Sequence, residues 1–226
     1  MWKEELKGWK KWEVVWLVIS CLAIMGLSVY WKDSVMGIIS ATTGVACVVC
    51  TGKGKLSAYV FGIVNILLYA IISFQAKYYG EVMLNVIYYI PMQFYGFYVW
   101  KKNMNQETHE VKKRRMSKKS FWLLLEIIAI ATLIYGTFLK YIGGSLSYVD
   151  ALSTVVSVVA MAISVKMYLE QWILWLVVDS VTVIMWAVAF ANGSDSIATL
   201  LMWIVYLGNA IVMYIKWAKE VKENEV

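Results

Sequence analysis

Trp172, Trp175 and Asp179 fall at i, i+3 and i+7 of an apolar run, so a helix places two indoles and a carboxylate on one face. Thr182 and Trp186 continue the same stripe. Two indoles can sandwich a flat ring, and their π faces together with a carboxylate favour a cationic one. An acid two turns inside an apolar segment is expensive unless paired or hydrated, which marks it as a binding candidate. Three more apolar runs carry polar stripes. They are Gly62, Asn65 and Tyr69; Asn85, Tyr89, Gln93 and Gly96 around Pro91; and Met202, Tyr206 and Asn209 with Trp203 beside them. Amides donate and accept, which suits sugar hydroxyls or a carboxamide. Pro91 also frees a carbonyl one turn back, near Ile87, that could line a cavity. The candidate binding set is therefore Trp172, Trp175, Asp179, Asn65, Gln93, Tyr89, Asn209, Trp203, Tyr206 and Trp186. Any one of these also fits a packing role. Their convergence from four segments is what favours a shared site.

Catalysis finds little support. The single histidine, His109, lies in a charged stretch between Glu107 and Glu110 and reads as a solvated residue. No nucleophile elbow, phosphate-binding glycine loop or metal-ligand cluster is present, so no enzyme activity, metal or cofactor is expected. Cys47 and Cys50 form a lone C-x-x-C inside an apolar run and read as small apolar residues.

The elements that would position the stripes are membrane spans. Of 226 residues, 61% are hydrophobic and 16% charged, too apolar for a soluble core of this length. Apolar runs occupy 14–30, 34–51, 56–74, 81–100, 121–139, 148–165, 171–191 and 196–217. Each is long enough to cross about 30 Å of hydrocarbon with some tilt. Helices satisfy every backbone group in lipid, and the alternating runs of a barrel are absent. Val18 to Cys21 loosely resembles a lipoprotein cleavage box, but the apolar run continues past it, so it reads as an uncleaved first span. With eight crossings, 18 of the 21 basic residues fall on one side, leaving Lys32, Lys77 and Lys140 on the other. By the positive-inside rule both termini are cytoplasmic. Trp9, Trp12 and Trp16 share a helical spacing that suits the headgroup layer. The net charge of +6 belongs to loops, which points to lipid rather than nucleic acid.

A shift of 117 residues superposes 33–100 on the second half, placing Asp33 on Asp150, Gly62 on Asp179, Tyr69 on Trp186, Tyr89 on Tyr206 and Trp100 on Trp217. The expected fold is an all-α membrane bundle of eight helices arranged 1+3+1+3, with parallel three-helix repeats as in SWEET-type transporters. Its parts are 1–32, an amphipathic segment and first helix; 33–100, repeat 1; 101–147, a basic loop and connecting helix; 148–217, repeat 2; and 218–226, a tail.

Two stretches resemble the PnuC family of bacterial vitamin-precursor transporters. One is the W-x-x-W-x-x-x-[N/D] signature at Trp172, Trp175 and Asp179; the other runs from Phe61 to Asn65 and on through Tyr89 to Trp100. The resemblance covers about 33–217. It implies uptake of nicotinamide riboside across the inner (plasma) membrane by facilitated diffusion, in a homotrimer of SWEET-like chains. Asp179 departs from the Asn that many relatives carry. Transport of thiamine or another vitamin on the same fold, and a non-transporting membrane scaffold or receptor, are the other readings.

Overall fold

Local chemistry sets the helix ends. Ser34 accepts a hydrogen bond from the Gly37 N–H at 3.0 Å and starts one helix. Gly54, at φ +80°, ends it in the left-handed conformation that glycine adopts without penalty. The computed structural model describes residues 8–75, 79–105, 107, 109–141, 147–193 and 197–224. Its helices are α1 (Lys11–Tyr30), α2 (Val35–Lys53), α3 (Ser57–Gln75), α4 (Tyr79–Met83), α5 (Ile90–Lys102), α6 (Lys118–Tyr141), α7 (Ser147–Val165), α8 (Gln171–Ala191) and α9 (Ile197–Asn224). The fold is all-α. Two isolated β-bridges, Met104 with Val111 and Arg114 with Tyr168, are the only extended pairings among the described residues. Trp2, Lys3, Lys7, Lys77 and the Asp150 side chain lie outside the described residues.

Among the described residues, seven helices, α1, α2, α3, α6, α7, α8 and α9, are long and apolar enough to cross a membrane. The run at 81–100 is not one regular helix. It is α4, a π turn at Leu84–Tyr89 and α5 in succession. Pro91 has no N–H for the preceding turn, and the ladder widens just before it: the Ile90 N–H donates to the Asn85 carbonyl, an i to i−5 bond. Residue 87 does not line a cavity. Ile87 is 69% exposed on the outer surface, and the wide turn directs Asn85 and Tyr89 inward instead.

The packing order forms a ring. α2 packs on α3, α3 on α4 and α5, α5 on α7, α7 on α8, α8 on α9, and α9 returns to α2. α1 lies outside on α2 and α9, and α6 lies outside on α7. Because lipid tails are as apolar as leucine, such contacts depend on close van der Waals fit and small residues. Ser40, Ala41 and Gly44 supply that on α2, and Ile19, Leu133 and Ile134 face outward where lipid takes the place of water.

The tryptophans near the start do not form one interfacial face. The helix begins at Lys11, so Trp9 precedes it. Trp9 and Trp16 pack against the core around Ile24 and Val45, while Trp12 points outward.

Residues 109–117 cross one end of the ring as a strap. The Val111 N–H donates to the Gly54 carbonyl at 3.1 Å, beside the α2–α3 turn. The Arg114 N–H donates to the Met167 carbonyl at 2.9 Å, and the Leu169 N–H to the Arg114 carbonyl at 2.8 Å, at the α7–α8 turn. His109 is half-buried rather than solvated, with its carbonyl accepting from Lys55 Nζ at 3.0 Å. The basic run is divided: Lys113 is buried, whereas Lys112, Arg114 and Arg115 face solvent.

Candidate functional site

The ring encloses a cavity of about 140 Å³. Roughly 10–15 Å³ of such space admits one water, so there is room for a small organic ligand or several waters. Every member of the ring contributes to its wall.

From α8, Trp172, Trp175 and Asp179 face the cavity, because positions 0, 3 and 7 of a helix share a face. Asp179 is 3% exposed and forms no ion pair or hydrogen bond among the described residues. From α3 comes Asn65. Its Nδ2 donates to the Ser40 carbonyl at 2.9 Å, and its Oδ1 accepts from the Tyr206 hydroxyl of α9 at 3.5 Å. Gly44 makes that meeting possible. A Cβ there would lie 2.7 Å from Asn65 Nδ2 and also collide with the Tyr206 hydroxyl.

Gly62 does the same for Gln93. A Cβ at Gly62 would stand 2.8 Å from Gln93 Nε2, so the amide occupies the space that a side chain at 62 would fill. Gly62 corresponds to Asp179 under the 117-residue shift, and Gln93 corresponds to Ala210. The first pair therefore sets an amide over a glycine, whereas the corresponding positions 179 and 210 carry a carboxylate and an alanine. Matching depths thus carry different chemistry.

Two acids, Glu81 and Asp179, line the cavity, and no Lys, Arg or His does so among the described residues. Polar atoms in its lining residues that lack partners include Asn209 Oδ1, while its Nδ2 donates to the Val48 carbonyl at 3.2 Å, Trp172 Nε1 and Trp203 Nε1. Buried polar atoms are seldom left unpaired, so these are positions where a ligand would be satisfied.

Aromatic residues line both ends. Near the C-terminal end of α3, Tyr69 packs at 5.9 Å from Trp203 and accepts a hydrogen bond from Trp186 Nε1 at 3.1 Å. At the strap end, Tyr59 meets Trp100 edge-on at 5.2 Å, and Trp172 meets Trp217 edge-on at 5.7 Å. Aromatic pairs thus flank the cavity at both ends.

Comparison with known proteins adds to this geometry. Residues 34–219 match the family model described as nicotinamide mononucleotide transporter. The chain belongs to the nicotinamide mononucleotide transporter family. It is 41% identical to the nicotinamide riboside transporter PnuC of Neisseria mucosa, over 99% of this chain and 87% of that one. The corresponding protein of Haemophilus influenzae is 32% identical, over 98% of this chain and 96% of its own. A crystal structure of the vitamin B3 transporter PnuC superposes with a TM-score of 0.89 at 40% identity, covering 98% of this chain and 97% of that one. This member of the nicotinamide mononucleotide transporter family is accordingly a multi-span membrane transporter and not an enzyme.

Nine of the ten candidates read from sequence line this family member's cavity: Asn65, Tyr89, Gln93, Trp172, Trp175, Asp179, Trp203, Tyr206 and Asn209. Trp186 does not. It lies behind Tyr69, in the core with Ile24 and Val45. Thr182 also stays out of the cavity and donates to the Val178 carbonyl at 2.9 Å. The stripe pattern alone does not single out Tyr59, Glu81, Ser157 or Ser164, which also line the wall. Glu81 carried a usable signal, an acid opening an apolar run. The serines of α7 did not, being indistinguishable from helix-packing residues.

Proposed function

We propose that this chain carries nicotinamide riboside across the inner membrane by facilitated diffusion, with the central cavity as its binding site. The observation that carries the reading is the cavity's charge: two carboxylates and no cation, between aromatic walls. A pyridinium cation joined to ribose suits that environment. A phosphorylated mononucleotide does not, because its added negative charge would meet Glu81 and Asp179 in a low dielectric. The names of the curated relatives agree with the riboside rather than with the mononucleotide of the family description.

In this reading Trp172 and Trp175 flank the ring, Asp179 lies near its charge, and Asn65, Gln93 and Asn209 bind ribose or carboxamide. Tyr89, Trp203 and Tyr206 complete the enclosure. The run from α4 through α5 serves as a further crossing, which gives eight in a 1+3+1+3 order with two parallel, SWEET-like repeats. The ring order of helices supports that arrangement, since the third helix of each half packs on the first helix of the other. The distribution of 18 basic residues against three supports cytoplasmic termini, and the resemblance to PnuC supports a homotrimer.

Uptake of labelled nicotinamide riboside into vesicles containing the purified protein tests the proposal. It should exceed that of empty vesicles and fall with Trp175→Ala. Equal uptake by loaded and empty vesicles would contradict it.

A further inference from the structure

Three acids far apart in sequence meet three lysines at the strap end. Glu13 lies 3.0 Å from Lys53 and 2.6 Å from Lys216. Lys53 lies 2.9 Å from Glu110, which lies 3.1 Å from Lys113. Lys113 pairs with Glu220, which stands 3.8 Å from Lys216. The six charges therefore form a closed, alternating circuit. Glu13 belongs to α1, Lys53 to α2, Glu110 and Lys113 to the strap, and Lys216 and Glu220 to α9. Glu13 and the three lysines are buried, so the circuit is largely shielded from water.

The circuit also reaches the cavity. Lys113 Nζ sits 5.6 Å over the ring of Trp217, and Trp217 packs edge-on against Trp172 in the cavity wall. On its other edge the strap hydrogen-bonds to both the α2–α3 and the α7–α8 turns. The two halves of the ring cannot separate at this end unless the strap releases one of them.

We infer that the circuit of Glu13, Lys53, Glu110, Lys113, Glu220 and Lys216, with strap 109–117, is the latch that holds this end of the cavity closed and must release for solute to leave there. The inference rests on the transporter reading but not on the identity of the solute. The chemistry suits a reversible closure. Buried ion pairs add little net stability, because desolvation offsets their attraction. Opening this end returns all six charges to water and recovers that solvation. An apolar seal of the same size would instead expose greasy surface. A charged latch thus keeps the open and closed states close in free energy, as a switching element requires.

Cys47 provides a reporter, since it lines the cavity while Cys50, one turn on, is buried outside it. Two backgrounds are needed: Cys21→Ser with Cys50→Ser, which leaves Cys47, and Cys21→Ser with Cys47→Ser, which leaves Cys50. The rate of labelling by a charged methanethiosulfonate is measured on each purified protein, alone and with Glu110→Gln or Lys113→Gln. A latch predicts that either substitution speeds labelling at Cys47 at least tenfold while Cys50 stays slow. An unchanged rate at Cys47, or equal acceleration at both cysteines through general loosening, would overturn the inference. Because no transported solute enters the assay, its outcome is independent of the riboside assignment.

Discussion

Tyr69 and Trp186 stand 117 residues apart, and the Trp186 indole N–H donates to the Tyr69 hydroxyl at 3.1 Å. The same interval relates Gly62 to Asp179 and Trp100 to Trp217. The pair therefore joins α3 to α8 at one end of the cavity. Removing either partner strands a buried polar group, at about 1–3 kcal/mol. Trp186→Phe and Tyr69→Phe should each lower the melting temperature of the purified protein by about 2–6 °C. The double variant should fall by clearly less than the sum. Additive losses would show that the two side chains do not act as a pair.

Gly44 lets Asn65 and Tyr206 meet at the cavity wall. Gly44→Ala forces one of them aside, with overpacking of about 1–3 kcal/mol. Riboside affinity, measured by calorimetry, should fall about tenfold, equivalent to about 1.4 kcal/mol. Ala at 46, a neighbouring small position of α2, offers a comparison: Ala46→Gly should bind normally. Equal losses from both variants would argue that α2 packing alone is being read.

Asp179 supplies charge that an amide cannot. Asp179→Asn keeps the shape and removes the carboxylate, so the cationic riboside should lose more affinity than its neutral, reduced dihydro form. The ratio of the two dissociation constants should shift by about three- to tenfold, or about 0.7–1.4 kcal/mol. A ratio identical to that of the native protein would place the ligand's charge elsewhere, with Glu81 the remaining acid in the wall.

Glu110 gives the strap a defined pH response. Burial pushes its carboxyl up, but Lys113 and Lys53 outweigh that and hold it below the usual carboxylate range. A depressed folded pKa contributes stability that is fully present above the unfolded value of about 4.3 and is lost as pH falls through the folded value. Amide hydrogen exchange in the strap should therefore show constant protection between pH 7 and pH 5, after correction for intrinsic rates. Protection should decline only below about pH 4.3. With Glu110→Gln that acid-dependent decline should shrink.

The contrast between Asp179 and Trp186 shows how far residue spacing reaches. Both lie on one helical face, and periodicity identifies the face. It does not give the depth at which a cavity ends. Trp186 sits seven residues beyond Asp179, about 10 Å along the axis, where Tyr69 already closes the space. Pro91 likewise advertises a break in the fourth run, but which inward groups the π turn presents depends on how the ladder widens around Asn85. The strap was the least legible element. Glu13, Glu110 and Glu220 are about one hundred residues apart, and a run such as Lys112 to Arg115 looks like a solvated charge cluster until folding buries Lys113 alone. Glu81 and the α7 serines were hidden for a related reason: their inward direction is set by partners in the other half, not by their neighbours in sequence.

An acidic, aromatic cavity should select a cationic nucleoside over its phosphorylated form. Titration of the purified protein with nicotinamide riboside and with nicotinamide mononucleotide, read by quenching of its tryptophans, tests this most directly. The riboside should quench saturably, Trp175→Ala should abolish that signal, and the mononucleotide should respond at least a hundredfold more weakly, or by about 2.7 kcal/mol. Equal affinity for the two compounds, or no saturable response to the riboside, would contradict it.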